Sequence, residues 1–518
     1  MISPIANIGT VKNHCTLFYF DESPRSVDLH KLTLNDLVKE DSPTIGWLTE
    51  LQYTNIANKH AHDFVWTQAA FKTSDDLLPH IGSMFGPESD RLVCYRLSDK
   101  AIKLLDGKCV SYEKDTAPKN RQKVSIELGL SQSAQQRLTE NNTGSADLIV
   151  SISAVNCCVF RTETSVLAME VTLMRRDGQN PDAAEITEAI ASLTRFNRLQ
   201  WSVNEQAVAP EVDFTLGAIC RSLLGDKKRS GSKLRVYSAC YLQVIRRDDT
   251  DRESLVELGR RLSHHYTSDY TVAADNDQGV PPIENFNNVL HTVALEGTCT
   301  LTWQVSDEHR SVDFIENYYT AAYRPVYLPL HWLLFHEHNV LLQYARKLNI
   351  WLNNDSGDQN NSKPYSQITT GLLNFRTNFQ FPVISSLGLH NQYYQALRQS
   401  LSLDELLDKL QKDSVDISTY LTEQKNASRE FRVKILSSIA SFGITFLTVF
   451  TIVEVICKAF HWFHHVGADG TVSGMAEVIA VGLGSVAGSV AAFFQLRDIS
   501  AKHSHHRRHA FDELVKHA

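Results

Sequence analysis

Two apolar runs, residues 435–457 and 475–496, close a chain of 518 residues that otherwise reads as water-soluble. Each reaches the length of about 20 residues that a helix needs to cross a hydrocarbon core. A core helix of a soluble protein shows charge on its solvent face, whereas the first run, ILSSIASFGITFLTVFTIVEVIC, carries one charge, Glu454, near its far end. Arg429, Arg432 and Lys434 precede the first run. Arg497, Lys502, Arg507, Arg508 and Lys516 follow the second, and the loop between the runs has only Lys458. This bias places both chain ends on the cytoplasmic side of a membrane. The expected organisation is a cytosolic domain over residues 1–305, a helical stalk over 306–434, a transmembrane hairpin over 435–496 and a basic cytosolic tail over 497–518.

The remainder fits a cytosolic body. The start, MISPIANIGTVKNH, lacks the basic stretch, apolar region and cleavage site of a signal peptide. Nine cysteines are scattered without a CxxC pair, which points to reduced thiols and away from zinc or a disulfide frame. A net charge of -8 is too mild to imply a nucleic-acid or membrane-surface partner.

Up to about residue 305 strand and helix signals alternate. HCTLFYF, RLVCYRL and ADLIVSISAV are β-branched or aromatic runs bounded by turn formers, hence strands. Two longer stretches, beginning TSVLAMEVTLMRRDG and RVYSACYLQVIRRDD, each read as a strand ending in Arg-Arg-Asp, a polar loop and an amphipathic helix. The helix faces are Ile186, Ala189, Ile190, Leu193 and Phe196 in one, and Leu255, Leu258 and Leu262 in the other. The pair is either a duplicated β-α unit or a chance likeness; in both cases the body is an α/β domain with a mixed sheet backed by helices. Beyond residue 311 the pattern is helical, with Pro325 and Pro329 marking a helix start or a kink. Ser402 and Glu405 suit a capping box for a helix whose seam is Leu403, Leu406, Leu410, Ile417 and Leu421. If unbroken to Lys434, that rod spans roughly 50 Å and couples body to membrane.

An α/β domain, a long helix entering the first of two spans, a short outer loop and a basic tail resemble the CorA-like metal-ion transporters. VFRTETSVLAMEVTL, YRPVYLPLHWLLFHEHNVLLQYARKL, NFRTNFQFPVIS and LDELLDKLQKDSVDISTYL are similar to stretches of bacterial two-span proteins of that kind. The resemblance implies a homo-oligomer, a tetramer or pentamer, in a bacterial inner membrane, with the first span lining a pore for a permeant cation. The family's Gly-Met-Asn is absent: CKAFHWFHHVGADG stands at the outer end of the first span, and Gly474-Met475 is followed by Ala476. That departure counts against selective magnesium uptake. The layout also resembles membrane effectors of antiphage systems, which implies a nucleotide or oligonucleotide ligand.

Ser437, Ser441, Thr445 and Thr448 share one face of the first span, where hydroxyls either wet a pore or bond back to their own helix. Phe442 and Phe446, with Phe450, form a second stripe, a dewetting gate or a packing surface. Glu454 is either a carboxylate ring at the outer mouth or an i,i+4 partner of Lys458. Gly484 and Gly488 in the second run suit close helix packing. His461, His464 and His465 either bind metal or, with Trp462 and Phe463 between them, form an interfacial belt. For an anionic ligand the candidates are the basic loop Lys227, Lys228, Arg229, Lys233 and Arg235, and the paired strand ends Arg175, Arg176, Arg246 and Arg247. The loop is not a P-loop, and HEHNV has Val340 where a zinc protease needs histidine. No catalysis, cofactor or metal site is expected. The function these residues imply is a ligand-gated ion channel. The alternatives are a divalent-cation transporter of altered selectivity and a membrane-anchored scaffold without a pore.

Overall fold

The computed structural model describes residues 8–20, 29–33, 63–105, 111–112, 123–124, 126–130, 148–162, 164–196, 199–203, 206–207, 216–224, 235–244, 252–267, 280–304, 309–354 and 363–464. The described strands are β1 Val11–Phe20, β2 Trp66–Gln68, β3 Leu92–Leu97, β4 Ser111–Tyr112, β5 Lys123–Val124, β6 Ile126–Leu130, β7 Leu148–Phe160 and β8 Ser165–Arg175. They continue with β9 Leu199–Val203, β10 Gln206–Ala207, β11 Arg235–Val244, β12 Ile283–Phe286, β13 Val289–Val293 and β14 Gly297–Trp303. The described α-helices are α1 Pro79–Gly82, α2 Asp99–Leu105, α3 Ala183–Ala191, α4 Leu216–Leu223, α5 Arg252–His264, α6 His309–Tyr318, α7 Leu328–Asn354, α8 Lys363–Phe379, α9 Gly388–Ser400 and α10 Leu403–His464.

β1 holds the centre of a mixed sheet ordered β10-β9-β6-β7-β8-β1-β11-β14-β13-β12, with β3 also pairing β7, and β2 pairing β3. Only Lys12 of β1 is exposed, as expected of a strand covered on both faces. β8 and β11 flank β1 and run antiparallel to it, so they are parallel to each other. β11 is also parallel to β14, which makes the sheet mixed. The two β-α units of the sequence are therefore β8-α3 and β11-α5, one strand apart, and their helices touch.

One face of β1, Val11, Cys15, Leu17 and Tyr19, meets the core that includes Ile186, Ala189, Ile190 and Leu193 from the first unit and Leu255, Leu258 and Leu262 from the second. A nine-residue helix such as α3 is too short to be stable alone; burying Ile186 and Ile190 at roughly 1.5–3 kcal/mol each is what holds it. Asp182 and Glu185 start it with a reciprocal capping box. α5 ends on His265 in the left-handed region at φ 55°, while the Tyr266 N–H reaches back to the Arg261 carbonyl at 2.9 Å. That turn delivers His265 Nε2 to Ser238 Oγ at 2.7 Å, with Gly297 beside both. A Cβ at Gly297 would lie 2.7 Å from Ser238 Oγ and 2.8 Å from the Ser238 carbonyl oxygen. Gly297→Ala is expected to destabilise the body by about 1–3 kcal/mol, read as a lower urea midpoint, because backbone cannot step aside.

The other face of β1 carries His14, Phe18 and Phe20, which meet the helical region from 309 to 354. Between α6 and α7 the chain takes a π-helical stretch, Tyr319–Tyr327, that contains Pro325. Proline has no N–H for an α-helical bond, and the wider register accommodates it. α7 then starts with Pro329 in its first turn, where a missing N–H costs nothing.

By packing, the chain divides after Asp408 into two units, so helices α6 to α9 belong to the first unit with the sheet. Ser402 sits at φ 48°, the left-handed region, where it closes α9 and turns the chain into α10. A capping box needs an extended residue there, so Ser402 and Glu405 do not form the expected one. Of the expected seam, Leu403, Leu410 and Ile417 are buried and Leu406 and Leu421 partly so. α10 runs 62 residues without interruption, about 90 Å at 1.5 Å per residue.

Candidate functional site

Within α10, Arg429–Thr451 is long and apolar enough to cross a membrane by length and composition, and of its described side chains only Ser438 is buried. The expected span 435–457 lies inside this helix, whereas the second run, 475–496, the basic tail and Gly484 and Gly488 lie outside the described residues, as does His465. A hairpin is therefore not part of the described fold. Leu436, Ile439, Ile444 and Leu447 stand exposed along the span.

The hydroxyl face exists as a helical stripe. Ser437, Ser441 and Thr445 are exposed; Ser437 donates to the Lys434 carbonyl at 2.9 Å and Thr445 to the Ser441 carbonyl at 2.8 Å. Bonding back to the helix satisfies the Ser437 and Thr445 hydroxyl protons and leaves their remaining lone pairs free to accept. Phe446 stacks on Phe450 at 6.5 Å, and Glu454 is exposed. The side chains of Thr448, Phe442 and Lys458 lie outside the described residues.

The anion-site candidates fare differently. Lys227, Lys228, Arg229, Lys233, Arg246 and Arg247 lie outside the described residues, and Arg235 opens β11 with its side chain likewise undescribed. The parallel run of β8 and β11 brings the end of β8, at Arg175, and the end of β11, at Val244, to the same end of the sheet on either side of the start of β1, since Val11 faces Val244 in register. Arg175 itself is engaged: its Nη2 and Nε donate to the two Glu185 oxygens at 2.8 and 2.9 Å, with Asp182 3.6 Å away. It clamps the loop onto the N-terminus of α3, the geometry of a structural tie more than an open anion site. Arg176 follows at the strand's end, partly buried.

What the sequence reading missed is a polar layer buried between the sheet and the helices on its aromatic face. Glu170 of β8 receives Arg324 Nε at 2.9 Å and Nη2 at 2.9 Å, Tyr319 Oη at 3.2 Å and Asn156 Nδ2 at 3.0 Å. Arg324 lies 5.0 Å over the Phe71 ring, and His14 stacks on Tyr319 at 4.0 Å. Along α7, His331 Nδ1–H donates to the Tyr327 carbonyl at 2.7 Å, which leaves Nε2 as an acceptor towards Thr298 Oγ1 at 3.3 Å. His336 Nδ1 pairs Thr164 Oγ1 at 2.6 Å while its ring stacks on Phe160 at 3.8 Å. His291 Nδ1 pairs Thr300 Oγ1 at 2.9 Å. Burial pulls His331 down to about 4 and His336 and His291 to about 3, with His390 adding to the effect on His291. The three imidazoles are thus neutral at physiological pH and act as hydrogen-bonding groups. Glu337 on the same helix forms a buried ion pair with Arg398 of α9, which also reaches Asp404 in the first turn of α10. The sequence signal was present: His331, His336, Glu337, His338 and Asn339 interrupt the apolar first half of the helix, and all five are buried. No metal-holding group of histidine, cysteine and carboxylate side chains occurs among the described residues. No protein-family model, curated protein or solved structure matches the chain.

Proposed function

We propose that this chain is one subunit of a homo-oligomeric ion channel in a bacterial inner membrane, with both chain ends cytoplasmic, opened by a ligand on its cytosolic body. The observation that supports this reading is α10, one uninterrupted helix that starts among the buried residues Leu403 and Leu407 and continues into the apolar stretch Arg429–Thr451. A helix transmits displacement along its axis because every backbone bond is made within it. The resemblance to CorA-like proteins supplies the oligomer, the cation pathway along Ser437, Ser441, Thr445 and Thr448, and the hairpin's second helix. The comparison with antiphage effectors supplies the ligand class, a nucleotide or short nucleic acid at Lys227, Lys228, Arg229, Lys233 and Arg235. Gating then requires only that the ligand bind the open arrangement more tightly than the closed one.

Planar-bilayer recording of the purified oligomer tests this. Conductance should appear on adding oligonucleotide, and Thr445→Phe should abolish it by drying the hydroxyl face. Charge reversal at Lys227, Lys228, Arg229 and Lys233 should remove the ligand response while leaving assembly intact. Current set by magnesium alone would instead identify a transporter of altered selectivity. Absence of current under either condition leaves a membrane-anchored scaffold and ends the channel reading.

A further inference from the structure

We propose that Cys94 and Cys158 form a reversible disulfide under peroxide, a modification site that staples β3 to β7. Cys94 lies directly opposite Cys158 in the antiparallel β3-β7 register, and their sulfurs are 3.2 Å apart as free thiols. The Arg161 N–H donates to the Arg91 carbonyl at 2.9 Å, so that pair is of the hydrogen-bonded kind. Alternation along the ladder makes Cys94 and Cys158 a non-hydrogen-bonded pair, in which Cα atoms stand about 4.5 Å apart. A disulfide accepts Cα separations of roughly 4.4–6.8 Å, so the sulfurs can close to about 2.05 Å by side-chain rotation alone.

Access fixes the order of events. Cys94 is 8% exposed and Cys158 fully buried, and among the described residues the strand paired to the outer side of β3 is the three-residue β2. A strand so thinly covered opens locally at less cost than the sheet centre. Burial, with Cys94 adding to it, pushes the Cys158 thiol well up, so Cys94 is the sulfur that meets the oxidant. Cys94 releases its proton to water, and the thiolate attacks one oxygen of hydrogen peroxide. An S–O bond forms, the O–O bond breaks, and hydroxide leaves to take up that proton as water. Cys158 then attacks the Cys94 sulfur: the S–S bond forms, the S–O bond breaks, and the departing hydroxide takes the Cys158 proton. Two thiols are oxidised, one peroxide is reduced, and two waters result. A dithiol reductant reverses it by exchange.

The same sheet holds internal controls. Cys157 is on the opposite face of β7, within the core, and faces Tyr95 in register rather than Cys94. Cys15, Cys240 and Cys299 line up across β1, β11 and β14 at 0–1% exposure in the sheet centre, so peroxide should leave them as thiols.

The test is peptide mapping of the full-length protein in detergent micelles, exposed to hydrogen peroxide and then alkylated. The expected result is a linked pair of peptides containing Cys94 and Cys158, released by dithiothreitol, and a higher unfolding temperature for the linked form. In Cys158→Ser the sulfenic acid has no resolving thiol, and dimedone should capture it at Cys94. Full alkylation of both thiols after peroxide, a link mapping elsewhere, or dimedone capture at Cys158 in Cys94→Ser would each overturn the proposal. Should either serine variant fail to fold, the wild-type map still decides.

Discussion

Replacing Arg398 with methionine is expected to destabilise the body by roughly 3–5 kcal/mol at neutral pH, because it strands the Glu337 carboxylate in the core. Arg398 donates through Nη1 to Glu337 Oε2 at 2.6 Å and through Nη2 to Asp404 at 2.5 Å, and the Glu337 and Arg398 side chains are 1% and 4% exposed. Even with that partner, burial holds Glu337 up at about 7. The raised value fixes the sign. Between the ordinary carboxyl range and pH 7 the folded state keeps a proton that the unfolded state has lost, so this group's contribution is complete in acid and fades as pH rises through 7. Without Arg398 the carboxyl is pushed higher still. The gap in urea midpoint between wild type and Arg398→Met should therefore be wider at about pH 8 than at about pH 6. Glu337→Gln in the Arg398→Met background should recover much of the loss, since a neutral amide carries a far smaller desolvation penalty. An equal gap at both pH values, or no recovery, would show that the loss comes from packing and not from the charge.

Acidification is expected to unfold the body more steeply than its net charge suggests. His331, His336 and His291 are held far below their ordinary value, so the unfolded chain takes up three protons below about pH 6.5 that the folded chain refuses. Glu337 works in the opposite direction with one proton, and the difference of two protons amounts to about 3 kcal/mol per pH unit between roughly pH 6.5 and 4.5. Burial also lowers His14 and His390, which adds to the slope, while Glu185 is shifted up and Glu296 down and so act against each other. A depressed histidine contributes stability above its unfolded value and loses it as pH falls towards the folded one. The fluorescence of buried Trp332 and Trp66, followed in urea across this range, reads the effect. His336→Phe keeps an aromatic ring against Phe160 and removes one titrating site, so its slope should be smaller by about 1.4 kcal/mol per pH unit. An unchanged slope would mean that this imidazole titrates normally in the folded state.

The elements of the fold were largely legible. HCTLFYF lies in β1, β3 falls within RLVCYRL, and the described part of ADLIVSISAV lies in β7. Of the predicted helix faces, Ile186, Ala189, Ile190, Leu193, Leu255, Leu258 and Leu262 point inward, while the side chain of Phe196 lies outside the described residues. Periodicity carries that information locally, since a strand or helix must place its apolar side chains on one face wherever it packs. The role of each charged residue was much less legible. Arg175 and Arg176 look alike in sequence, but only the strand register and the capping box of α3 bring Glu185 to Arg175. Ser402 has the composition of a helix cap and instead takes a left-handed turn, because two helices meet there with two residues between them.

The chain's own residue order determined three things: a sheet of β-branched and aromatic strands, helices of fixed hydrophobic faces, and an apolar stretch long enough to span a bilayer. These follow from side-chain chemistry repeated at the period of the backbone. Tertiary structure alone decided that β1 lies between β8 and β11, that Glu170 meets Arg324, and that Glu337 meets Arg398. Those pairs join residues 154 and 61 positions apart, and their worth depends on the water removed around them, which no local pattern records.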